Sequence, residues 1–98
     1  MKKRFVVCVD SSTASQNEAF KAFIQRNSFG WWHWLSNVWL LVDSKGISSA
    51  RDIRDELANI FPGVHNLVLE LREGDDTWSG FGTKTPDKDM FKWLKKNW

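Results

Sequence analysis

Most of the features that announce a function are missing from this sequence. A single cysteine, Cys8, allows no intramolecular disulfide and no cysteine-based zinc cluster. It lies inside an apolar strand and reads as inert core. No apolar run approaches the roughly 18 residues a membrane-spanning helix needs, so no membrane partner is expected. The start is basic, Met1-Lys2-Lys3-Arg4, but the apolar stretch behind it stops at Asp10, too early for a signal peptide. No export is implied, and a reducing cytoplasm suits the lone thiol. A net charge of +2 is too small to argue for nucleic acid by itself, although Lys2, Lys3 and Arg4 at one end and Lys92, Lys95 and Lys96 at the other are local basic clusters, which read as solvated surface. There is no phosphate-cradling glycine loop and no nucleophile elbow. With no repeat, linker or low-complexity tract, the 98 residues read as one domain, 1–98.

What is present is aromatic. Four of the seven tryptophans fall in residues 30–43, Gly-Trp-Trp-His-Trp-Leu-Ser-Asn-Val-Trp-Leu-Leu-Val-Asp. Two apolar runs flank Ser36-Asn37, a polar pair suited to a tight reversal, which predicts a β-hairpin. A two-residue loop sets Leu35 opposite Val38, Trp34 opposite Trp39, His33 opposite Leu40, Trp32 opposite Leu41 and Trp31 opposite Val42. One face then carries Trp32, Trp34, Trp39 and Leu41. The other carries Trp31, His33, Leu35, Val38, Leu40 and Val42. Both are apolar, so the sheet needs helices on one side and a second covering layer on the other.

Residues 5–9 are apolar on both faces, as a central strand is. A helix follows, with Ser15 and Glu18, or Thr13 and Gln16, at capping-box spacing, and with Ala19, Phe20, Phe23 and Ile24 as its apolar stripe. After the hairpin, Ser48 or Ser49 caps a second helix with Ala50, Ile53, Leu57, Ile60 and Phe61 inside, stopped by Pro62-Gly63. Residues 65–72 read as an amphipathic edge strand, Leu67, Leu69 and Leu71 against Val68, Glu70 and Arg72. Trp78 and Phe81 are expected to pin the polar loop that follows, and Thr85-Pro86 to open a final helix burying Phe91, Leu94 and Trp98. The order predicts an α+β fold of the ferredoxin-like kind: a βαββαβ antiparallel sheet, helices on one face, and a C-terminal helix. The free face must meet a partner, and a second copy about a two-fold axis is the simplest one.

With the strands placed, the chain resembles the superfamily that contains the small ferredoxin-fold subunit of the CRISPR adaptation complex and the virulence-associated protein D toxins. The carrying features are Val7-Cys8-Val9-Asp10, a helix leading to Phe29-Gly30, and Ser36-Asn37-Val38-Trp39-Leu40 turning into the third strand. More specifically, Trp31-Trp32-His33-Trp34-Leu35, Ala50-Arg51-Asp52-Ile53-Arg54-Asp55-Glu56-Leu57, Trp78-Ser79-Gly80-Phe81 and Trp93-Leu94-Lys95 are similar to short bacterial proteins labelled as SinR family. The superfamily implies a homodimer and, in some members, metal-dependent phosphodiester cleavage, with the first-strand aspartates meeting across the dimer axis. Asp10 holds that position, where paired carboxylates suit Mg²⁺. Ser11 and Ser12 depart from the pattern, which carries an apolar residue and further charge there.

Each candidate keeps a plainer reading beside the functional one. Asp10 is either a strand-end acid bonding nearby amides or the metal and catalytic residue. His33 is either a hydrogen-bonded core histidine or an acid/base group. The face of Trp32, Trp34 and Trp39 is a dimer interface, a base-stacking platform or ordinary core. Against stacking, no Lys or Arg interleaves with residues 31–42. Glu70 and Arg72 read as a solvated pair. Three functions follow: a homodimeric CRISPR-subunit-like module that contacts nucleic acid and cleaves it with Mg²⁺ as a nuclease through paired Asp10; a non-catalytic dimeric protein-interaction module of a defence or toxin system; or a small-ligand or nucleotide sensor with a pocket bounded by Trp78, Gly80 and Phe81.

Overall fold

Alternating burial in the first strand sets the centre of the molecule. The computed structural model describes residues 2–71, 79, 80 and 82–98. Strand β1 (Lys3–Val9) buries Phe5, Val7 and Val9 on one face. It is followed by α1 (Ala14–Arg26), β2 (Gly30–Leu35), β3 (Val38–Asp43), α2 (Ala50–Ile60), β4 (Asn66–Leu71) and α3 (Lys92–Asn97). The strands form one antiparallel sheet in the order β2-β3-β1-β4, so the two runs that are apolar on both faces lie inside it. The architecture is α+β, with four strands and three helices among the described residues. None of those helices is long and apolar enough to cross a membrane.

Both long helices start on a reciprocal cap. Thr13 Oγ1 accepts from the Gln16 amide and Gln16 Oε1 accepts from the Thr13 amide, so of the two spacings the sequence offered α1 uses Thr13 and Gln16. Ser49 and Asp52 do the same for α2. Phe20, Phe23 and Ile24 of α1 and Ile53 and Leu57 of α2 cover the β1 face that carries Phe5 and Val7, whereas Ala19 is exposed. Trp39 is fully buried at the centre of this layer, with Phe20 edge-on at 4.9 Å between ring centroids.

The hairpin departs from the simple register. Leu35 pairs with Val38 as expected, but Trp32 pairs with Leu40, Trp31 with Leu41 and Gly30 with Val42. His33 and Trp34 together oppose Trp39, which is a β-bulge. The extra residue shifts β2 by one position, and one position exchanges faces. Trp39 and Leu41 therefore lie with Trp31 under the helices, while Trp32 lies on the opposite side with Leu40. The expected common face of Trp32, Trp34 and Trp39 does not form. The cause is the pairing of Trp39 with Val7 of β1, which commits it to the helix-covered core.

The opposite face is partly covered by the chain's own C-terminal segment. Trp32, Met90 and Leu94 make a second buried cluster, with Leu40, Phe91, Trp93 and Trp98 packed against it. Trp32 Nε1 donates to the Met90 carbonyl at 2.6 Å. Trp93 packs over Gly30, where a β-carbon would come within 3.3 Å of its ring. A six-residue helix has no stability of its own, so α3 exists because it docks here. It starts at Lys92, later than Thr85-Pro86 suggested. Residues 84–89 instead form a turn closed by a Lys84–Asp89 bridge, in which the Thr85 hydroxyl accepts from the Lys88 amide.

The amino-terminal basic cluster holds this tail. Arg4 is 3% exposed, with its guanidinium 5.2 Å from the Trp98 ring and donating to the Trp98 carbonyl. Lys2 donates to the carbonyl of Asn97. Cations at the end of α3 also oppose its dipole. The cluster that reads as solvated surface is therefore structural, while Lys92, Lys95 and Lys96 remain exposed.

Asp43 ends β3 and is buried. Its carboxylate accepts from the amides of Lys45, Ile47 and Ser48 at 2.9 to 3.0 Å, wrapping the loop to α2 around itself. Gly46, at φ 68°, makes the left-handed turn this requires. Burial pushes the carboxyl pKa upward, but hydrogen bonds from the amides of Ser48, Gly46, Ile47 and Lys45 prevail and hold it below its usual value. The expected roles of Trp78, Phe81 and Arg72 fall on residues outside the described ones. Glu70, the other member of the expected solvated pair, lies 3.8 Å from Lys3 Nζ.

Two outcomes follow from this packing. Trp32→Ala lowers stability by about 3–5 kcal/mol in urea unfolding, the cost of emptying a buried tryptophan site. Asp43→Asn lowers it by about 1–3 kcal/mol at pH 7. Because Asp43 is depressed, its contribution is present above the unfolded carboxyl value of about 3.9 and is lost as acid titrates the folded group. The gap between wild type and Asp43→Asn therefore narrows in urea titrations run at successively lower pH below about 4.

Candidate functional site

Asp10 follows directly on β1, and two backbone bonds fix its place. Val9 N–H donates to the Asn37 carbonyl in the hairpin loop, and Asp10 N–H donates to the His65 carbonyl before β4, both at 2.9 Å. The Asp10 side chain is 71% exposed. Among the described residues no backbone amide donates to its carboxylate, and the next helix is capped by Thr13 and Gln16. Its one neighbour of opposite character is His65, whose Nδ1 lies 3.6 Å from Oδ2 and whose side chain is 94% exposed. So open a contact contributes little to stability. Cys8, Val9, Asp10, His65, Asn66 and Leu67 line a shallow cavity of about 360 Å³ here. Cys8 is half-buried at this edge and is not part of the helix-side core.

A strip of uncovered sheet leads away from Asp10. Val7 pairs with Val68, and both pack beneath the helices. The alternate residues of the same strands must then face the other way: Val6 pairs with Leu69, and Cys8 with Leu67. Leu67 is 56% and Leu69 45% exposed. The leucine face of the edge strand thus points away from α1 and α2, on the side where the tail packs over β2, β3 and the Arg4 end of β1.

His33 sits elsewhere. Its ring stacks on Trp39 at 3.6 Å between centroids and 6° between planes. Nδ1 lies 3.0 Å from the Val38 carbonyl, which only accepts, so Nδ1 carries the proton of the neutral ring. Burial lowers its pKa first of all, the Val38 bond acts in the opposite sense, and the positive charge of Lys21 adds to the lowering. The ring is a hydrogen-bonded histidine packed against the core, and no hydrogen bond or ion pair joins it to Asp10.

Of the three candidate tryptophans, Trp39 is core and Trp32 is sealed under the tail, whereas Trp34 is 43% exposed. It faces α3 across a groove of about 380 Å³. His65 is the neighbour of Asp10 that sequence reasoning missed. Its position as the residue before β4, the strand that pairs with β1, was the only available signal. Among the described residues no three His, Cys, Asp or Glu side chains gather into a metal-binding group. The chain matches no protein-family model, no curated protein and no solved structure.

His33 generates a pH signature. The unfolded chain takes up its proton near pH 6.5, before the folded chain does, so stability falls as pH drops below about 6.5. His33→Gln flattens that decline in urea titrations compared at pH 7.5 and 5.5. An unchanged slope would assign the decline to another group.

Proposed function

We propose that the protein is a homodimeric module of the ferredoxin-like kind that contacts nucleic acid, with its two copies joined through the uncovered half of the sheet. The observation that carries this is the strip of Leu67 and Leu69, 56% and 45% exposed, which runs beside Val6 and Cys8 to Asp10. Large aliphatic side chains on a sheet face gain from being covered, and a self-complementary strip is what a two-fold interface uses. The ferredoxin-like reading is supported by the strand order β2-β3-β1-β4, with helices after the first and third strands. It agrees with the resemblance to the CRISPR small-subunit superfamily and its SinR-labelled relatives.

Asp10 gives this module a candidate chemistry. Among the described residues one copy falls short of a Mg²⁺ site: it offers Asp10 with His65 beside it, and a hard cation of this kind takes several oxygen ligands. Two copies facing along the strip bring two carboxylates toward one axis, and those are the groups that would hold the ion. Bound there, Mg²⁺ would supply polarisation of a phosphate and activation of a water. What the chain itself contributes is a carboxylate 71% exposed, with His65 Nδ1 3.6 Å away.

Light scattering is expected to give a mass about twice 11.4 kDa for the wild type and a monomer for Leu67→Glu/Leu69→Glu, whose sites are exposed enough to leave the fold intact. A monomeric wild type removes the reading. In a nuclease assay run with Mg²⁺ and then EDTA, cleavage lost in Asp10→Ala assigns the chemistry. Cleavage retained in Asp10→Ala places it elsewhere. A dimer that neither binds nor cleaves nucleic acid is the non-catalytic protein-interaction module.

A further inference from the structure

The β-bulge does more than set the faces of the hairpin. Two residues of β2 oppose the single Trp39, and the second of them, Trp34, stands 43% exposed. On the other side of the resulting groove lie Lys92, Trp93, Lys96 and Asn97 of α3, with Asp89 at the turn before it. Lys92 and Lys96 are one helical turn apart and so project from the same face of α3. Both are exposed and form no ion pair among the described residues. Asp89 is engaged by the backbone, its Oδ1 accepting from the Phe91 amide at 2.9 Å.

We infer that the groove between Trp34 and α3 binds single-stranded nucleic acid, with a base stacked on the exposed face of Trp34 and phosphates held by Lys92 and Lys96. The objection that the sequence raised to base stacking was the lack of a cation among residues 31–42, and the fold answers it by bringing the lysines in from 58 and 62 positions away, 92 − 34 and 96 − 34. An aromatic ring with flanking cations and no dedicated donor or acceptor array is the combination that takes single strands with little sequence preference. A duplex keeps its bases stacked inside and offers the ring nothing. The groove lies at the β2 edge of the sheet and the leucine strip at the β4 edge, so a dimer formed through the strip leaves a groove open on each copy. The inference deepens the nucleic-acid reading and rests on it.

The test is fluorescence anisotropy of the full chain with a fluorescein-labelled twelve-nucleotide oligo-dT, a duplex of equal length and a labelled poly-glutamate peptide, over a range of salt. The wild type is expected to bind the single strand in preference to both others. Trp34→Ala weakens that binding by roughly 5- to 150-fold, the range carried by one base on one aromatic ring, and Trp34→Phe restores most of it. Lys92→Ala/Lys96→Ala reduces the slope of log affinity against log salt by about 1.4, from about 0.7 per phosphate contact on a single strand. Single-strand binding that is unchanged in all these variants overturns the groove and leaves the broader nucleic-acid reading standing. Poly-glutamate binding as tight as the single strand, and indifferent to Trp34→Ala, overturns it in favour of an acidic protein partner. No binding of either nucleic acid by the wild type removes both readings.

Discussion

A sheet whose inner strands are apolar on both faces has to be covered twice, and that constraint shapes this molecule. The first cover is provided by α1 and α2, closing over Phe5, Val7, Trp39 and Leu41. The second is made from a segment too short to be a helix alone, fixed by Trp32, Met90 and Leu94 and held by Arg4 over Trp98. Burying an aromatic side chain removes about 150–250 Å² from water, an upper estimate of roughly 4–6 kcal/mol at about 25 cal/mol per Å². Contributions of that size at Trp32 explain how one turn and a half of helix stays in place. Further along the same face, Leu67 and Leu69 of β4 stay 56% and 45% exposed.

The bulge is the second constraint, and it follows from the first. Trp39 pairs with Val7 and belongs to the helix-side core, while the Leu35–Val38 pair is set by the tight hairpin loop. A regular ladder would carry Trp32 onto the same side as Trp39 and put Trp31 in its place beside Leu40 on the tail's side. One extra residue resolves the conflict by sending Trp31 and Trp39 inward, giving Trp32 to α3 and letting Trp34 project past the edge. An exposed tryptophan at a bulge beside exposed lysines is therefore a by-product of packing.

Periodicity carried the element order, the inner faces of both long helices and the central places of β1 and β3, because each was written locally in apolar spacing and caps. The bulge was not legible. Trp31-Trp32-His33-Trp34 has no glycine or other local cue, and the register was decided by Val7, more than twenty residues away. The tail's docking was legible only in part: Leu94 and Trp98 read as buried, but which surface they bury depended on the face assignment the bulge reversed. The start of α3 was misread because Thr85-Pro86 serves equally as a helix opening and as the first half of a reverse turn, and local sequence does not distinguish them. Arg4 looked like surface because its partner, Trp98, lies at the far end of the chain.

Asp10 and Asp43 make the same point about the candidate site. Each ends an inner strand and each is followed by serine, so in sequence they are near equivalents. The fold treats them oppositely. After Asp43, Gly46 turns the chain back and three amides close on the carboxylate, which becomes a buried structural anion. After Asp10, Thr13 caps the next helix without help, and the carboxylate is left in solvent beside His65. The acid that the fold consumes explains itself. The one it leaves exposed stands at the shallow cavity that Cys8, His65 and Leu67 help to line.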